Sequence, residues 1–248
     1  MPNDREIEAP ISLMGMWPDS DDEAAENTNA FTNESSEQTI TVAGLPLRVR
    51  QFCFHTHNAN RVWPGTFNLA EYYINEGESG DLDSLKDKRM LELGSATGLL
   101  SIRFVIAGIT NIVTSDVDDR GAATDDNNDD DNDGKSKETE DDTVETNIKH
   151  NFYLNNVAPV KHIRHTWGTG WNESEVFDII IASDILLYVA AYPALVKTLE
   201  ELIGRGLGRK FIMSWNRRMD ESKQFFEMMH EKGFECLREP KCVFIFTR

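Results

Sequence analysis

The chain has 248 residues, 40% of them hydrophobic, which is enough for one α/β domain with extensions and a sizeable core. Its formal net charge of −18 is unevenly spread: residues 1–37 carry −9, residues 115–145 carry −11, and the remainder carries +2. A nearly neutral body beside two acidic segments disfavours nucleic acid as a partner, because both segments would repel phosphate.

The cysteine content and the apolar segments indicate the compartment. The N-terminus is acidic and has no apolar run, so it does not resemble a signal peptide. The most apolar stretch, 176–196, is interrupted by Asp178 and Asp184 and is too short on either side to span a bilayer. We therefore expect a soluble protein of the cytosol or nucleus with no membrane partner. The chain also has three thiols, an odd number, at no metal-binding spacing: Cys53, Cys236 and Cys242. An odd number of cysteines argues against a disulfide framework and favours a reducing compartment.

The N-terminal part predicts a tail, a hairpin and a helix. Residues 1–37 bury nothing and repel one another, so we expect a disordered acidic tail, with the folded domain over 38–248. Polar and apolar residues then alternate over 39–42 and 47–54, which predicts a β-hairpin extension. A helix is predicted near 64–76, because proline is well tolerated at a helix start.

Three side chains before that helix have more than one interpretation. His55 and His57 would share one face of a strand, but no cysteine or nearby carboxylate completes a four-ligand set, so we expect no metal site. Trp63 suits a hydrophobic anchor and the lining of a ligand cleft equally well.

The stretch 89–102 organises the chain. It predicts a buried strand over 90–93, a turn at Gly94 and a helix from Gly98, an arrangement that cradles nucleotide-like ligands. The dinucleotide fingerprint G-x-G-x-x-G is absent, since the two glycines stand four residues apart. Glu92 before the turn would repel phosphate but suits a cation such as a sulfonium with its α-amino group.

A second strand, predicted over 112–116, ends in Asp116 about twenty residues further on, where such folds place an acceptor for ribose hydroxyls. Residues 117–142 are rich in Asp, Asn and Gly, but lack the glycine and glutamate positions of a calcium-binding EF-hand loop. We predict a disordered acidic insertion there.

The rest of the chain alternates strands with helices up to a closing antiparallel hairpin. This pattern predicts a Rossmann-like α/β fold with a doubly wound sheet of seven strands. The long apolar run 176–184 is typical of a strand buried on both faces. The further predicted elements are a helix over 143–155, a strand over 160–164, a helix over 192–202, a strand over 210–214, a helix over 220–232 and strands over 234–237 and 243–247.

Four positions fall at predicted carboxyl ends of strands, where ligands bind in such sheets: Gly94, Asp116, Trp167 and Asp184. We therefore expect them to line one cleft. For Asp184, a role as the N-cap of the helix that follows remains an alternative.

In its motifs the chain resembles the methyltransferase-like protein-lysine methyltransferases, a branch of the class I S-adenosylmethionine (SAM)-dependent enzymes long labelled nicotinamide-N-methyltransferase-like. The resemblance covers roughly 40–248 without the acidic insertion. A linked set of motifs is more specific than any single one. The matching segments are 62–65 (VWPG), 91–99 (LELGSATGL), 114–116 (TSD), 147–151 (NIKHN) with Asn155, 167–168 (WG) and 182–188 (ASDILLY).

The resemblance implies that Asp116 holds the ribose of SAM, that Trp167 stacks near its adenine, and that Asp184 and Tyr188 face the acceptor nitrogen. The spacing from Asp184 to Tyr188 is one residue longer than in the family, and the segment 214–218 also departs from it, so substrate choice is expected to differ. The positions implied to contact SAM are Trp63, Glu92, Gly94, Ser95, Thr97, Gly98, Asp116, Trp167 and Ser183.

The first hypothesis for function is therefore N-methylation of a protein lysine, with Asp184 orienting the ammonium and accepting its proton. A second is methylation of a small-molecule amine or another protein nitrogen in the same cleft. A third, of another class, is a SAM-fold binding module that uses the acidic segments to recruit a basic partner. The glycine turn speaks against a loss of cofactor binding, and the sequence leaves the oligomeric state open.

Overall fold

The computed structural model describes residues 35–55, 57–75, 80–117, 143–172, 174–204, 206, 208–216 and 220–248. Helices and strands alternate through the centre of the chain, as the sequence predicts. The elements of this described part are β1 (Ser35–Val42), β2 (Leu45–Phe52), α1 (Pro64–Ile74), β3 (Met90–Leu93), α2 (Leu99–Ile106), β4 (Ile112–Asp116), α3 (Val144–Leu154), β5 (His162–Arg164), β6 (Ile179–Ser183), α4 (Tyr192–Ile203), β7 (Lys210–Ser214), α5 (Lys223–Glu231), β8 (Glu235–Glu239) and β9 (Val243–Thr247).

The central sheet has seven strands in the order β5-β4-β3-β6-β7-β9-β8. All neighbours are parallel except β9, which runs antiparallel to both β7 and β8. β1 and β2 form a separate antiparallel sheet. The prediction of a seven-strand sheet with a C-terminal antiparallel hairpin and an N-terminal hairpin extension is thus confirmed.

Alternate residues of the central strands face two separate hydrophobic clusters. In β6, Ile179 and Ile181 belong to the cluster that includes side chains of α1, α2 and α3, whereas Ile180 and Ala182 belong to the one that includes side chains of α4 and α5. This follows from the two-residue period of a strand. A sheet covered on both faces leaves the ends of its strands as the place for a site.

Three asparagines hold the N-terminal hairpin in place: Asn147 and Asn151 on α3, and Asn155 at its C-cap. The Asn155 and Asn151 amides accept from the backbone N–H groups of Arg48 and Arg50 in β2, at 2.9 and 2.7 Å, and donate back to the same residues' carbonyls. Asn147 accepts from the Arg50 guanidinium at 2.9 Å. The side chains stand one helical turn apart, so they pair with the strand much as a neighbouring strand would.

Asn151 also donates to the carbonyl of Thr97 at 3.0 Å, which ties the hairpin to the glycine turn after β3. We expect Asn151→Ala to lower the free energy of unfolding by about 2–4 kcal/mol, because it removes the hydrogen bonds to the buried carbonyl of Thr97 and the part-buried N–H of Arg50. Chemical denaturation monitored by circular dichroism measures this. The control is Tyr153→Ala on the same helix, where the side chain is 67% exposed and the change should stay within about 0.5 kcal/mol. Equal losses in the two variants would contradict this role of Asn151.

Some predicted boundaries differ. β1 begins at Ser35, so 35–37 belong to the hairpin rather than to the acidic tail. Glu37 explains the difference: it pairs in register with Arg50, and its carboxylate bonds the side chains of Arg48 and His150. The rest of the predicted tail (1–34) and most of the predicted insertion (118–142) lie outside the described residues, as do Arg217 and Arg218 of the departing segment 214–218.

Candidate active site

The carboxyl ends of β3, β4 and β6 open into one cleft of about 950 Å³, including its open mouth. The space in it that water molecules could occupy is about 260 Å³, just below the range of about 300–1,000 Å³ typical of ligand sites. The four residues predicted to converge there from their positions at strand ends all line it. Of the full set of predicted site residues, those in the lining are Trp63, Gly94, Asp116, Trp167, Ser183, Asp184 and Tyr188.

Two glycines shape the turn between β3 and α2. Gly94 and Gly98 both have left-handed backbones, with φ of 70° and 73°. A Cβ on Gly94 would lie 3.0 Å from Ile185 Cγ2, and one on Gly98 would lie 2.9 Å from Ile148 Cγ2. Glycine is therefore required at Gly94 for the backbone to border the cleft and at Gly98 for α2 to pack closely on α3.

Asp116 at the end of β4 fixes the same turn. One carboxylate oxygen accepts from Ala96 N at 2.7 Å, and the other accepts from Val117 N at 2.8 Å. The bond to Ala96 helps to hold that residue in the left-handed region, with φ of 47°, which is uncommon for a residue with a Cβ. Because a carboxylate offers about four acceptor sites, Asp116 also suits a pair of ligand hydroxyls.

Trp167 follows β5 and faces the glycine turn, since its Cζ2 would be 3.9 Å from a Cβ on Gly94. The next residue, Gly168, has φ of 83°, and its N–H donates to Thr198 Oγ1 at 2.9 Å. A Cβ on Gly168 would lie 2.9 Å from Ala194 Cβ. The close approach of Gly168 to α4 thus positions the Trp167 indole along the cleft.

Four predicted cofactor contacts lie beneath the cleft rather than in its lining. The Ser95 hydroxyl donates to Glu92 O at 2.8 Å and accepts from Ser115 N at 2.9 Å, which joins β3 to β4. Thr97 is buried and accepts the Asn151 bond through its carbonyl. The four residues Glu92, Ser95, Thr97 and Gly98 thus form the layer that supports the turn.

Glu92 shares the face of β3 that carries Met90, so its side chain points under α2. Its carboxylate accepts from the backbone N–H and the hydroxyl of Ser101 in the first turn of α2. Complete burial raises the pKa of Glu92 to about 8, although the Ser101 bonds oppose that rise. The group is therefore largely protonated at neutral pH in the folded protein without ligand.

Because the Glu92 pKa rises from its ordinary 4.5 to about 8 on folding, the folded state holds this proton more tightly than the unfolded chain. The stability from this group is fully present below pH 4.5 and is lost as pH rises toward 8. Glu92→Gln should therefore raise the free energy of unfolding at pH 8 by on the order of 4 kcal/mol, and by little at pH 4.5.

Denaturation of the ligand-free protein across this pH range measures the effect. The control is Glu231→Gln at the exposed end of α5, which should not alter the pH dependence. A Glu92→Gln variant whose pH profile parallels the wild type would show that Glu92 ionises normally in the fold.

Asp184 directly follows β6, is 3% exposed and has a left-handed backbone with φ of 51°. Its carboxylate accepts from the backbone N–H of Gly65, in the first turn of α1, at 2.5 Å. A Cβ on Gly65 would approach that oxygen to 3.0 Å, so glycine lets the helix start meet the carboxylate. The alternative that Asp184 caps the following helix is wrong, because α4 begins only at Tyr192 with Ala191 as its N-cap.

Two aromatic residues flank Asp184 at the mouth. The Trp63 indole is almost buried, donates from Nε1 to Asn58 O at 3.0 Å and lies 4.7 Å under the Arg61 guanidinium. Trp63 thus lines the cleft, as one of its two interpretations predicts, and its burial is also compatible with the other, an anchoring role. Tyr188 is 56% exposed, and its hydroxyl accepts a hydrogen bond from Asn58.

Several lining residues were not predicted from the sequence. His57 and Asn58 come from the loop after β2, which ends at Phe52, so His55 and His57 do not share one face of a strand. His165 and Ile185 adjoin predicted positions. Asn58 bonds Tyr188, which lies 130 positions away, and such a contact leaves no local signal in the sequence. The closeness of Asn58 to the motif at 62–65 could still have indicated a place near the cleft.

The residues of the cleft fit SAM. The Ser183 hydroxyl lines it, is buried and has no hydrogen-bond partner among the described residues, so it suits a polar ligand atom. Gly94 leaves room where a side chain would intrude, Trp167 offers an apolar ring, and Asp116 offers a carboxylate for the ribose hydroxyls. Within the described ranges, His, Cys, Asp and Glu side chains form no group of three or more that could hold a metal ion.

In the part of the chain that the structure describes, no helix is both long and apolar enough to cross a bilayer.

Comparison with known proteins points to one family. The chain is 25% identical over 193 residues to the protein-lysine N-methyltransferase EFM3 of Chaetomium thermophilum, covering 72% of this chain and 49% of that protein. It is 26% identical over 223 residues to the protein N-terminal and lysine N-methyltransferase EFM7 of Gibberella zeae, covering 82% and 77%. The protein N-lysine methyltransferase METTL21A of Danio rerio is 27% identical over 169 residues, with coverages of 67% and 66%. The chain thus spans about half the length of the first of these relatives.

Among solved structures, the Thermus thermophilus 16S rRNA N2 G1207 methyltransferase RsmC, in complex with AdoMet and guanosine, matches with a TM-score of 0.55. At 14% identity, over 86% of this chain and 50% of that one, this likeness concerns the methyltransferase fold alone. Residues 44–232 match the family described as lysine methyltransferase. The chain therefore belongs to the lysine methyltransferase family, as the resemblance in its motifs predicts.

Proposed function

We propose that this chain transfers the methyl group of SAM to the ε-amino group of a lysine in a protein substrate. The observation that carries the proposal is the buried Asp184 carboxylate in a cleft that also contains Gly94, Asp116 and Trp167. Membership of the lysine methyltransferase family and the names of the relatives support lysine as the acceptor.

SAM, when bound, supplies an electrophilic methyl group on a sulfonium centre. Toward it, the Asp116 carboxylate would accept hydrogen bonds from the ribose hydroxyls, and the Trp167 ring would cover the apolar adenine. The Ser183 hydroxyl would gain the partner that it lacks among the described residues. Together these residues fix the orientation of the methyl donor, and orientation supplies much of the rate in a displacement between two bound groups.

The acceptor side of the reaction depends on Asp184. A lysine ammonium is attracted to a carboxylate, and the low dielectric of a closed cleft favours loss of its proton. The Asp184 carboxylate would bind the incoming ammonium and receive that proton, directly or through water. The Gly65 N–H donates to one oxygen of the carboxylate and holds the group in place for this role.

A second candidate acceptor is the α-amino group at the N-terminus of a protein. The EFM7 relatives from Gibberella zeae and Schizosaccharomyces pombe, which are named for both N-terminal and lysine methylation, cover 82% and 76% of this chain. An α-amino group is a primary amine like that of lysine, so the same carboxylate could hold it. We propose the cytosol or nucleus as the site of action, which the free thiols among the described residues support.

The proposal is tested by incubating the protein with tritiated-methyl SAM and a lysate of cells that lack it. We expect label in discrete protein bands, and we expect calorimetry to show binding of both SAM and its demethylated product S-adenosylhomocysteine (SAH). Label confined to the small-molecule fraction would favour a small-amine methyltransferase. Binding without any transfer would favour a binding module, and absence of SAM binding would overturn the enzyme assignment.

A further inference from the structure

One side-chain hydrogen bond connects two distant segments at the mouth of the cleft. Asn58 Nδ2 donates to the Tyr188 hydroxyl at 2.5 Å, across 130 residues of sequence. Both residues line the cleft, one from the loop after β2 and the other from the connection that follows β6. We refer to this bond between Asn58 and Tyr188 as the mouth bridge.

Asn58 is anchored by its backbone on both sides. Its N–H donates to His55 O at 2.9 Å, and its carbonyl accepts from the Trp63 indole at 3.0 Å. Its φ of 58° lies in the left-handed region, which asparagine adopts more readily than most residues. The Asn58 side chain therefore projects from a fixed point beside the start of α1.

Tyr188 has less support of its own. It lies in the irregular segment between β6 and the short 3₁₀ helix Val189–Ala191, with an extended backbone and 56% of its surface exposed. The extra residue between Asp184 and Tyr188, relative to the family pattern, falls in this same segment. The mouth bridge gives the phenol a fixed position that its own backbone does not impose.

The two ends of the bridge also adjoin the Asp184 site. Tyr188 stands four residues after Asp184, and Asn58 bonds the indole of Trp63, two residues before the Gly65 that bonds the carboxylate. Asp184 is only 3% exposed, so an acceptor chain must enter through the mouth to reach it. Lysine suits such a path, since its ammonium stands on a long, flexible apolar stem.

We propose that Asn58 is a positioning residue that determines acceptor specificity: through the mouth bridge it holds the Tyr188 ring in the geometry that the acceptor segment meets on its way to Asp184. This inference rests on the proposed function and deepens it. A preorganised ring lowers the cost of ordering the entrance when the substrate binds. The bridge should therefore matter for acceptor binding and not for the cofactor.

The test compares four variants with the wild type: Asn58→Gly, Tyr188→Phe, the double variant Asn58→Gly/Tyr188→Phe, and Asn58→Asp. Glycine tolerates the left-handed backbone and keeps the Asn58 carbonyl for Trp63, so Asn58→Gly removes the side chain alone. Tyr188→Phe removes the hydroxyl alone. Asn58→Asp keeps a bridge, because a carboxylate accepts from the phenol hydroxyl.

Each variant is titrated with lysate protein and tritiated-methyl SAM, and the half-saturating lysate concentration and maximal rate are measured for one labelled band. SAH affinity is measured by calorimetry. We expect Asn58→Gly and Tyr188→Phe each to raise the half-saturating concentration by about 3- to 10-fold, the equivalent of one hydrogen bond. In the double variant this concentration should rise no further than in either single variant, and in Asn58→Asp it should stay near the wild-type value. The affinity for SAH should be unchanged in all four variants.

The role of the bridge would be overturned if both single variants had the half-saturating lysate concentration of the wild type. It would also be overturned if the increases of the two single variants added up in the double variant, since coupled residues give non-additive effects. An Asn58→Asp variant as weak as Asn58→Gly would overturn it as well. These outcomes leave the proposed function standing. If the wild type itself labels no protein, the proposed function fails, and this role of the bridge fails with it.

Discussion

Asp184→Asn is expected to lower the maximal rate of methyl transfer by about 10²- to 10⁴-fold, the range attributed to a positioned proton acceptor. Asparagine keeps a side-chain oxygen that can accept the Gly65 N–H, and it tolerates the left-handed backbone of this position. The substitution therefore removes the charge while it preserves the contact with the start of α1. Initial rates with tritiated-methyl SAM at saturating acceptor measure the loss.

The same strand provides the matched control. Asp178 directly precedes β6, at the end of the strand opposite to Asp184. Its side chain is exposed and accepts from Arg89 N at 2.8 Å. Asp178→Asn should leave transfer unchanged. Asp184→Asn should also keep the SAH affinity and thermal stability of the wild type, because neither is assigned to the charge. A variant that transfers methyl groups at the wild-type rate would remove Asp184 from the chemistry and confine it to holding α1.

Asp116→Asn is expected to weaken SAH binding by about 10- to 100-fold, because hydrogen bonds to a charged group contribute about 1.5–3 kcal/mol each. Asparagine offers one acceptor oxygen in place of two, so Ala96 N, Val117 N and the ribose hydroxyls would compete for it. Isothermal titration calorimetry with SAH measures the change directly.

The kinetics of Asp116→Asn distinguish binding of the cofactor from binding of the acceptor. The KM for SAM should rise by a similar factor, while the half-saturating concentration of acceptor and the rate at saturating SAM stay near wild type. Asp220→Asn, an equivalent change at a fully exposed carboxylate near α5, should alter neither parameter. A loss of maximal rate without any loss of SAH affinity would contradict the assignment of Asp116 to the cofactor.

The strand ends could be predicted from the sequence because they depend on local signals. A continuous apolar run ending in Asp184 indicates a buried parallel strand, and the break at Gly94 indicates a strand-to-helix turn. Strand order then brings such ends together whatever the details of packing. This is why Gly94, Asp116, Trp167 and Asp184 were placed in one cleft without a structure.

What could not be predicted depends on contacts between distant residues. Glu92 was expected to face the ligand, but its position in β3 turns it under α2, and only the three-dimensional packing reveals Ser101 as its partner. The asparagines of α3 matched the family motif, yet their pairing with β2 spans about a hundred residues. The Asn58 bond to Tyr188 is of the same kind.

The longer spacing between Asp184 and Tyr188 illustrates both limits. The sequence identified the departure and therefore an expected difference in substrate choice, but it could not place the phenol. In the structure Tyr188 lies at the exposed mouth and is held by Asn58, a residue that carried no motif. Irregular segments are positioned by their partners, so their geometry follows from tertiary contacts rather than from local preference.

The most direct test of the central claim is to map the methylated atoms. The protein is incubated with SAM carrying a trideuterated methyl group and with lysate from cells that lack it, and labelled peptides are sequenced by mass spectrometry. We expect the heavy methyl group on lysine side chains of a small set of proteins, and its absence when Asp184→Asn replaces the wild type. Heavy methyl groups found only on other atoms, or on no protein at all, would contradict the account.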